Sequence, residues 1–215
     1  MPEGSASPKS RAREARRNAY REAVLETAEH LFAERGIHET KMEEIAAEAG
    51  LSLRTVYSAI DGGKAELVQA IWDGRLADLR RIGEQAQSSE GDARDKLRSA
   101  FRLATGYFLA HPDFLRMQIR DGFSWGIPSV AAARSSAPAT SYRDGVGAIE
   151  AIVEAGRVSG EFDVAVASLT THSIVALQQV HLAAWLAAAR EDDLDTVFER
   201  FWSDAERLLR RTAGR

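Results

Sequence analysis

Reactive groups are scarce in this sequence, and their spacing builds no catalytic centre. There is no cysteine, which removes thiol catalysis, disulfides and cysteine-bound zinc together. No nucleophile–base spacing, phosphate loop or acid pair stands out. His172 and His181 are nine residues apart, so one helical face cannot present them as a metal pair. His111, before Pro112, reads as structural. Asp92 with Asp95, and Asp192 and Asp193 with Asp195, sit where helices should start, and the helix dipole favours acids there. No enzyme, cofactor or metal site is expected.

What the sequence does offer is a set of hydrogen-bonding groups on a short rod. Residues 42–60, MEEIAAEAGLSLRTVYSAI, read as two short helices joined by a tight turn. A small residue, Ala46, falls where the helices would cross. Gly50 supplies a turn position tolerant of positive φ. Val56 is a compact apolar anchor for the second helix, and Ser52 is a good N-cap for it. Thr40 and Glu43 have the spacing of a capping box for the first. This is helix-turn-helix geometry, in which the second helix reads base edges in the major groove from its N-terminal end. Ser52, Leu53, Arg54, Thr55, Tyr57 and Ser58 lie on that end or on the outer face. Arg54 can fork onto guanine O6 and N7, and Thr55 can meet a base or a thymine methyl. Lys64 opens a further helix, where free N–H groups also attract phosphate.

These elements need a scaffold. Tyr20, Val24, Ala28, Leu31 and Phe32 recur at helical spacing and Gly36 stops the run, predicting a first helix from Asn18 to Arg35. A longer helix is expected from Lys64 to Arg81, then a polar linker, Gln87 to Gly91. Five more follow: Asp92 to Ala110, Phe114 to Gly122, Pro138 to about Gly156–Gly160, a fourth capped by Asp163 and ending near Arg190, and a last one capped by Asp192 or Asp193 and ending near Arg211. Residues 124–137 read as irregular. No period-two strand pattern survives. The fold class is therefore all-α, with about nine helices. The expected organisation is a flexible basic arm over 1–17, a helix-turn-helix domain over 18–82, and a helical C-terminal domain over 92–215.

Charge supports this division. The formal net charge is −4, but residues 1–20 hold Lys9, Arg11, Arg13, Arg16 and Arg17 against Glu3 and Glu14. A basic arm on an acidic protein is a localised feature, and Arg16 and Arg17 can reach a phosphate backbone or a minor groove. The N-terminus has no apolar run of the secretory kind. The most apolar stretch, Val164 to Ala189, is interrupted by His172, Gln178, Gln179 and His181, so no membrane span is expected. The expectation is a soluble, cytoplasmic protein.

Residues Ala12 to Leu79 resemble the DNA-binding domain of the tetracycline-repressor (TetR) family. The resemblance is carried by LFAERG (31–36), MEEIAAEAGLS (42–52), TVY (55–57) and the Lys64-x-x-Leu67 spacing. Ala110–Gly122 and Gly160–Asp163 are similar to family segments further along. Two departures stand out. Ile60 replaces a usual aromatic, and Asp61-Gly62-Gly63 places Lys64 one residue later than is usual. The resemblance implies a transcription regulator that binds double-stranded operator DNA, typically a repressor released by a small-molecule effector. It also implies that Tyr57 bonds a phosphate and that Thr40 and Lys41 face the DNA backbone. An alternative is a protein-interaction module of the same fold that has lost specific DNA binding, for which the altered segment Ile60–Lys64 is the hint.

The C-terminal domain is then expected to sense and to dimerise. Aromatic side chains with a few polar groups suit a ligand cavity: Phe101, Tyr107, Phe108, Phe114, Met117, Phe123, Trp125, Tyr142, His172, Gln178, His181 and Trp185. By the resemblance, the last two helices pair with those of a second copy in a homodimer. Their candidate interface residues are Leu177, Ala184, Ala188, Val197, Phe198, Phe201, Trp202, Ala205 and Leu208. Two copies grip two half-sites about one DNA turn apart.

Overall fold

The computed structural model describes residues 7–60, 62–120 and 137–210. All regular structure among them is helical. The helices are α1 (Pro8–Arg35), α2 (Met42–Glu48), α3 (Leu53–Ala59), α4 (Gly63–Ser88), α5 (Ala93–Ala110), α6 (Pro112–Arg120), α7 (Ala137–Ser159), α8 (Ala167–Ala187) and α9 (Leu194–Leu209). None of them is long and apolar enough to cross a membrane. They form two compact units, residues 1–71 and 72–215. The division falls inside α4. The polar run Gln87–Gly91 instead spans the end of α4 and the link to α5 within the second unit.

In the first unit, α1 is longer than expected. Residues 8–17 are helical rather than a flexible arm. The reason is local: the Ser7 side chain accepts from the Ser10 N–H at 3.3 Å, and Pro8, lacking an N–H, suits the first helical position. Gly36 ends the helix at φ 101°, with its N–H donating to the Phe32 carbonyl. Val24, Ala28 and Phe32 of α1, Ile45 of α2, and Val56 and Ile60 around α3 have almost no exposed surface. They form the core on which the three helices meet. Leu67 and Ile71, from the first turns of α4, are buried as well.

The second unit packs α5, α7, α8 and α9 around one apolar cluster. Leu97, Phe101, Ile152, Val153, Ile174, Phe198, Phe201 and Trp202 are its centre. Three arginines on α5 flank it. Arg94 pairs with Glu206, Arg98 with Glu199 and Arg102 with Asp195, and Arg98 also lies over the Phe198 and Trp202 rings. Asp193 caps α9, its carboxylate accepting from the Thr196 N–H at 2.8 Å, which holds that carboxyl below its usual range. Asp163 does not cap α8, as it was expected to. That helix begins after Val166, and the Asp163 N–H donates to the Leu209 carbonyl at 3.1 Å. The link from α7 to α8 is thereby tied to the end of α9.

Packing is close at that link. Gly156 of α7 accepts from the Phe162 N–H at 3.0 Å, and a Cβ on Gly156 would stand 2.2 Å from Phe162 Cδ2. Gly156→Ala should therefore overpack the core at a cost of about 1–3 kcal/mol. Thermal unfolding followed by circular dichroism should show a Tm lower by several degrees. An unchanged Tm would mean that the ring has room to move.

Candidate functional site

The first unit presents an exposed recognition rod. Ser52 caps α3, its Oγ accepting from the Thr55 N–H at 3.1 Å and lying 2.8 Å from Thr55 Oγ1. Val56 is wholly buried and Ala46 nearly so, which leaves Ser52, Arg54, Tyr57 and Ser58 exposed. Leu53 and Thr55 are half-buried. Gly50, between α2 and α3, stands at φ 64°, a conformation that glycine reaches without the Cβ penalty. Beside α3 runs the N-terminal part of α1. Arg13, Arg16 and Arg17 share a surface groove with Arg54, Thr55 and Ser58. The Arg16 Nε donates to the Tyr20 hydroxyl at 2.9 Å, so part of this basic face is held in place. Four arginines against one acid in the groove, Glu14, make it a surface for a polyanion.

Behind the rod sits an internal clamp. The Lys64 ammonium donates to the carbonyls of His38 and Thr40 at 3.2 and 3.1 Å. Thr40 is fully buried, and its hydroxyl donates to the Gly36 carbonyl at 2.8 Å. The α1–α2 turn is thus fastened to the start of α4. The helix start of α2 is one residue later than expected. Lys41 is the N-cap, and Glu44, not Glu43, reaches back to accept from the Lys41 N–H at 2.8 Å.

The second unit contains a small, mostly apolar cavity. Leu76, Leu79, Ile82 and Gly83 of α4, Ala100, Phe101, Ala104 and Phe108 of α5, and Gln118 of α6 line it, together with Val146 and Ile149 of α7 and Val175, Gln178 and Gln179 of α8. The buried Gln178 side chain donates to Thr105 Oγ1 at 2.9 Å and to the Phe101 carbonyl at 3.2 Å. Alongside, α4 and α5 are joined by polar contacts. Arg75 meets His111 Nδ1 at 3.0 Å, and the Tyr107 hydroxyl donates to Asp78 Oδ2 at 3.0 Å. Burial pushes the Tyr107 phenol up to about 12; neighbouring Arg75 opposes the shift and Asp78 adds to it.

Residues 24–71 match the family model described as bacterial regulatory proteins, tetR family. The N-terminal unit is a tetR-family domain. It is accordingly a DNA-binding regulatory unit. No curated protein matches the chain. Solved structures share the fold over most of its length. A tetR-family bacterial regulatory protein from Rhodococcus RHA1 has a TM-score of 0.74, with 19% identity over 88% of this chain and 96% of its own. The fatty acid degradation regulator FadR of Bacillus halodurans has a TM-score of 0.70 with 14% identity, over 99% and 100%. FadR of Bacillus subtilis, solved with stearoyl-CoA, has a TM-score of 0.67 with 16% identity, over 87% and 96%.

Within the tetR-family domain, one expected DNA contact needs correction: the Thr40 side chain has no exposed surface and braces the domain. The Lys64 ammonium donates to two backbone carbonyls, and Lys64 is partly exposed. Lys41, Arg16 and Arg17 are exposed.

The expected ligand residues divide. Phe101, Phe108 and Gln178 line the cavity. Phe114 and Met117 are wholly buried, with Phe114 packed on Trp72 and Phe108. Tyr107 belongs to the α4–α5 contacts. His172 bonds the Ser168 carbonyl of its own helix, His181 faces Asp204 at 3.3 Å, and Trp185 donates to the Asp192 carbonyl at 2.9 Å. Phe123, Trp125 and the Tyr142 side chain lie outside the described residues. The aliphatic walls, above all Leu76, Leu79 and Ile82 of α4, are not among the expected, mostly aromatic, ligand residues; their three-residue spacing is the signal that the sequence offers.

The expected dimer residues also divide. Val197, Phe198, Phe201, Trp202 and Ala205 are at most 4% exposed within one chain, so a second copy cannot cover them. Ala184, Ala188 and Leu208 are exposed and Leu177 is half-buried.

The Tyr107 contact carries a pH signature. A phenol whose pKa is raised from 10.0 to about 12 stabilises the fold fully below about pH 10, and that contribution is lost as pH rises towards about 12. The Tm of Tyr107→Phe should lie below that of the parent at about pH 8, with the gap closing at about pH 11. A gap independent of pH would remove Tyr107 from that titration.

Proposed function

We propose that this chain is a cytoplasmic, homodimeric transcription repressor released from operator DNA by a small-molecule effector. One observation carries the reading. Arg54 and its neighbours on α3 stand exposed beside Arg13, Arg16 and Arg17 of α1, while Val56 and Ile60 anchor the rod from behind. In this reading α3 enters the major groove, Arg54 reads a guanine and Thr55 a neighbouring base. Tyr57, Ser58, Ser52 and Lys41 bond the backbone, and the α1 arginines track the flanking phosphates.

A two-fold assembly supplies the second half-site. It is supported by an exposed apolar stripe on α8, where Leu169 and Val180 are 67% and 60% exposed and Ala184 continues the same face. Leu208 of α9 adds to it. A second copy of the chain covers this stripe.

The effector occupies the cavity of the second unit. That cavity is about 90 Å³, whereas sites that bury a whole small molecule run to roughly 300–1,000 Å³. Binding therefore displaces its walls, one of which is α4. Because α4 contributes residues to both units, a ligand that prefers displaced walls draws population away from the DNA-competent form. Two of the structural relatives are regulators of fatty acid degradation or hold an acyl-CoA, which supports a hydrocarbon-bearing effector.

Gel shifts on the promoter beside the gene and on scrambled DNA test the assignment. Arg54→Ala should weaken cognate binding by about tenfold or more and scrambled binding little. Arg17→Ala should weaken both equally. Equal losses from Arg54→Ala would make it a phosphate contact, and no preference for the promoter in the parent would favour an interaction module.

A further inference from the structure

The effector's chemical class follows from one side chain. Gln118 of α6 lines the cavity and is 8% exposed. Its Oε1 is the one fully buried side-chain oxygen or nitrogen among the described residues that has no hydrogen-bond partner. Leaving such an acceptor unpaired costs stability, and native interiors rarely tolerate it without a use. The contrast with Gln178, on the same cavity, is direct: its amide nitrogen donates to Thr105 and Phe101, so it clamps α8 to α5.

The rest of the wall narrows the ligand further. Leu79, Ile82, Phe108 and Ile149 are apolar, and no Asp, Glu, Lys, Arg or His is among the described residues that line the cavity. A carboxylate, phosphate or ammonium entering it would lose its hydration and meet no opposite charge among the described lining residues. A hydrocarbon body is favoured there, and so is a neutral donor placed at Gln118 Oε1.

Resting on the effector reading above, we infer that the cavity takes an uncharged, largely hydrocarbon molecule whose hydroxyl or amide N–H donates to Gln118 Oε1. The ligand thereby meets in the complex an acceptor that no protein group meets. An alkanol is the simplest member of this class. A free fatty acid is excluded by its charge, and a simple ester, having no donor, leaves Oε1 unpaired.

Calorimetric titration of the full chain, without DNA, with 1-decanol, methyl decanoate, decanoate and decanoyl-coenzyme A at about pH 8 separates these classes, since carboxylates are ionised there. The expected order is decanol tightest, methyl decanoate about fivefold weaker, and decanoate and the coenzyme A ester weaker still. Gln118→Met, close in shape, should lower decanol affinity about fivefold and leave methyl decanoate unchanged. It should also raise the Tm of the ligand-free protein, because the unpaired acceptor is gone. Gln118→Leu, measured in parallel, guards against a packing fault peculiar to one replacement.

Decanoate or decanoyl-coenzyme A binding as tightly as decanol would overturn the inference. So would unchanged decanol affinity in both variants, a lower Tm in both, or no binding of decanol to the parent chain. All of these are read without operator DNA. Decanol that binds as expected but fails to release the operator would overturn the repressor mechanism alone.

Discussion

Val56 is the contact on which the recognition surface depends. It lies in the middle of a seven-residue helix and has no exposed surface. So short a helix has almost no stability of its own in water. Its shape is kept by the Ser52 cap at one end and by the burial of Val56 and Ile60 against the core that α1 and α2 provide. Because the apolar side of α3 is committed inward, period 3.6 turns Arg54, Tyr57 and Ser58 outward. Ala46 permits this closeness, and Gly50 permits the turn.

The same economy governs the second unit. Phe198, Phe201 and Trp202 commit the apolar face of α9 to the core, while Leu169 and Val180 of α8 stay exposed. Arg75 with His111 and Tyr107 with Asp78 tie α4 to α5 and to the turn before α6, beside a wall built from Leu76, Leu79 and Ile82. In the proposed mechanism, a molecule that enlarges the cavity works against these contacts.

Local rules made most of the fold legible in the sequence. Glycine stops, Asp92, Asp193 and Ser52 caps and the His111-Pro112 break mark helix ends through short-range chemistry, and α2, α3, α5 and α9 follow them closely. The first turns of α1 were hidden because Gly, Ser and Pro near the terminus read as disorder, while Ser7 and Pro8 in fact form a helix start. Long-range choices were less visible. Thr40 has the sequence look of a cap, yet its hydroxyl turns inward to Gly36. Lys64 has the look of a phosphate ligand, yet two carbonyls lie within its reach. A stripe such as Phe198–Phe201–Trp202 states that a helix has a buried face, but not whether its own chain or a second copy buries it. Gln118 carried no signal at all: only three-dimensional packing distinguishes an unpaired buried amide from an ordinary surface glutamine.

The central claim is that the outer face of α3 lies in the major groove of a specific duplex. Methylation interference with the full chain on the promoter beside its gene tests it most directly, because the guanine N7 edge lies in that groove. The account predicts that N7 methylation of guanines in two half-sites about one helical turn apart abolishes binding. A bound promoter indifferent to N7 methylation, or a single unrepeated zone of interference, would contradict it.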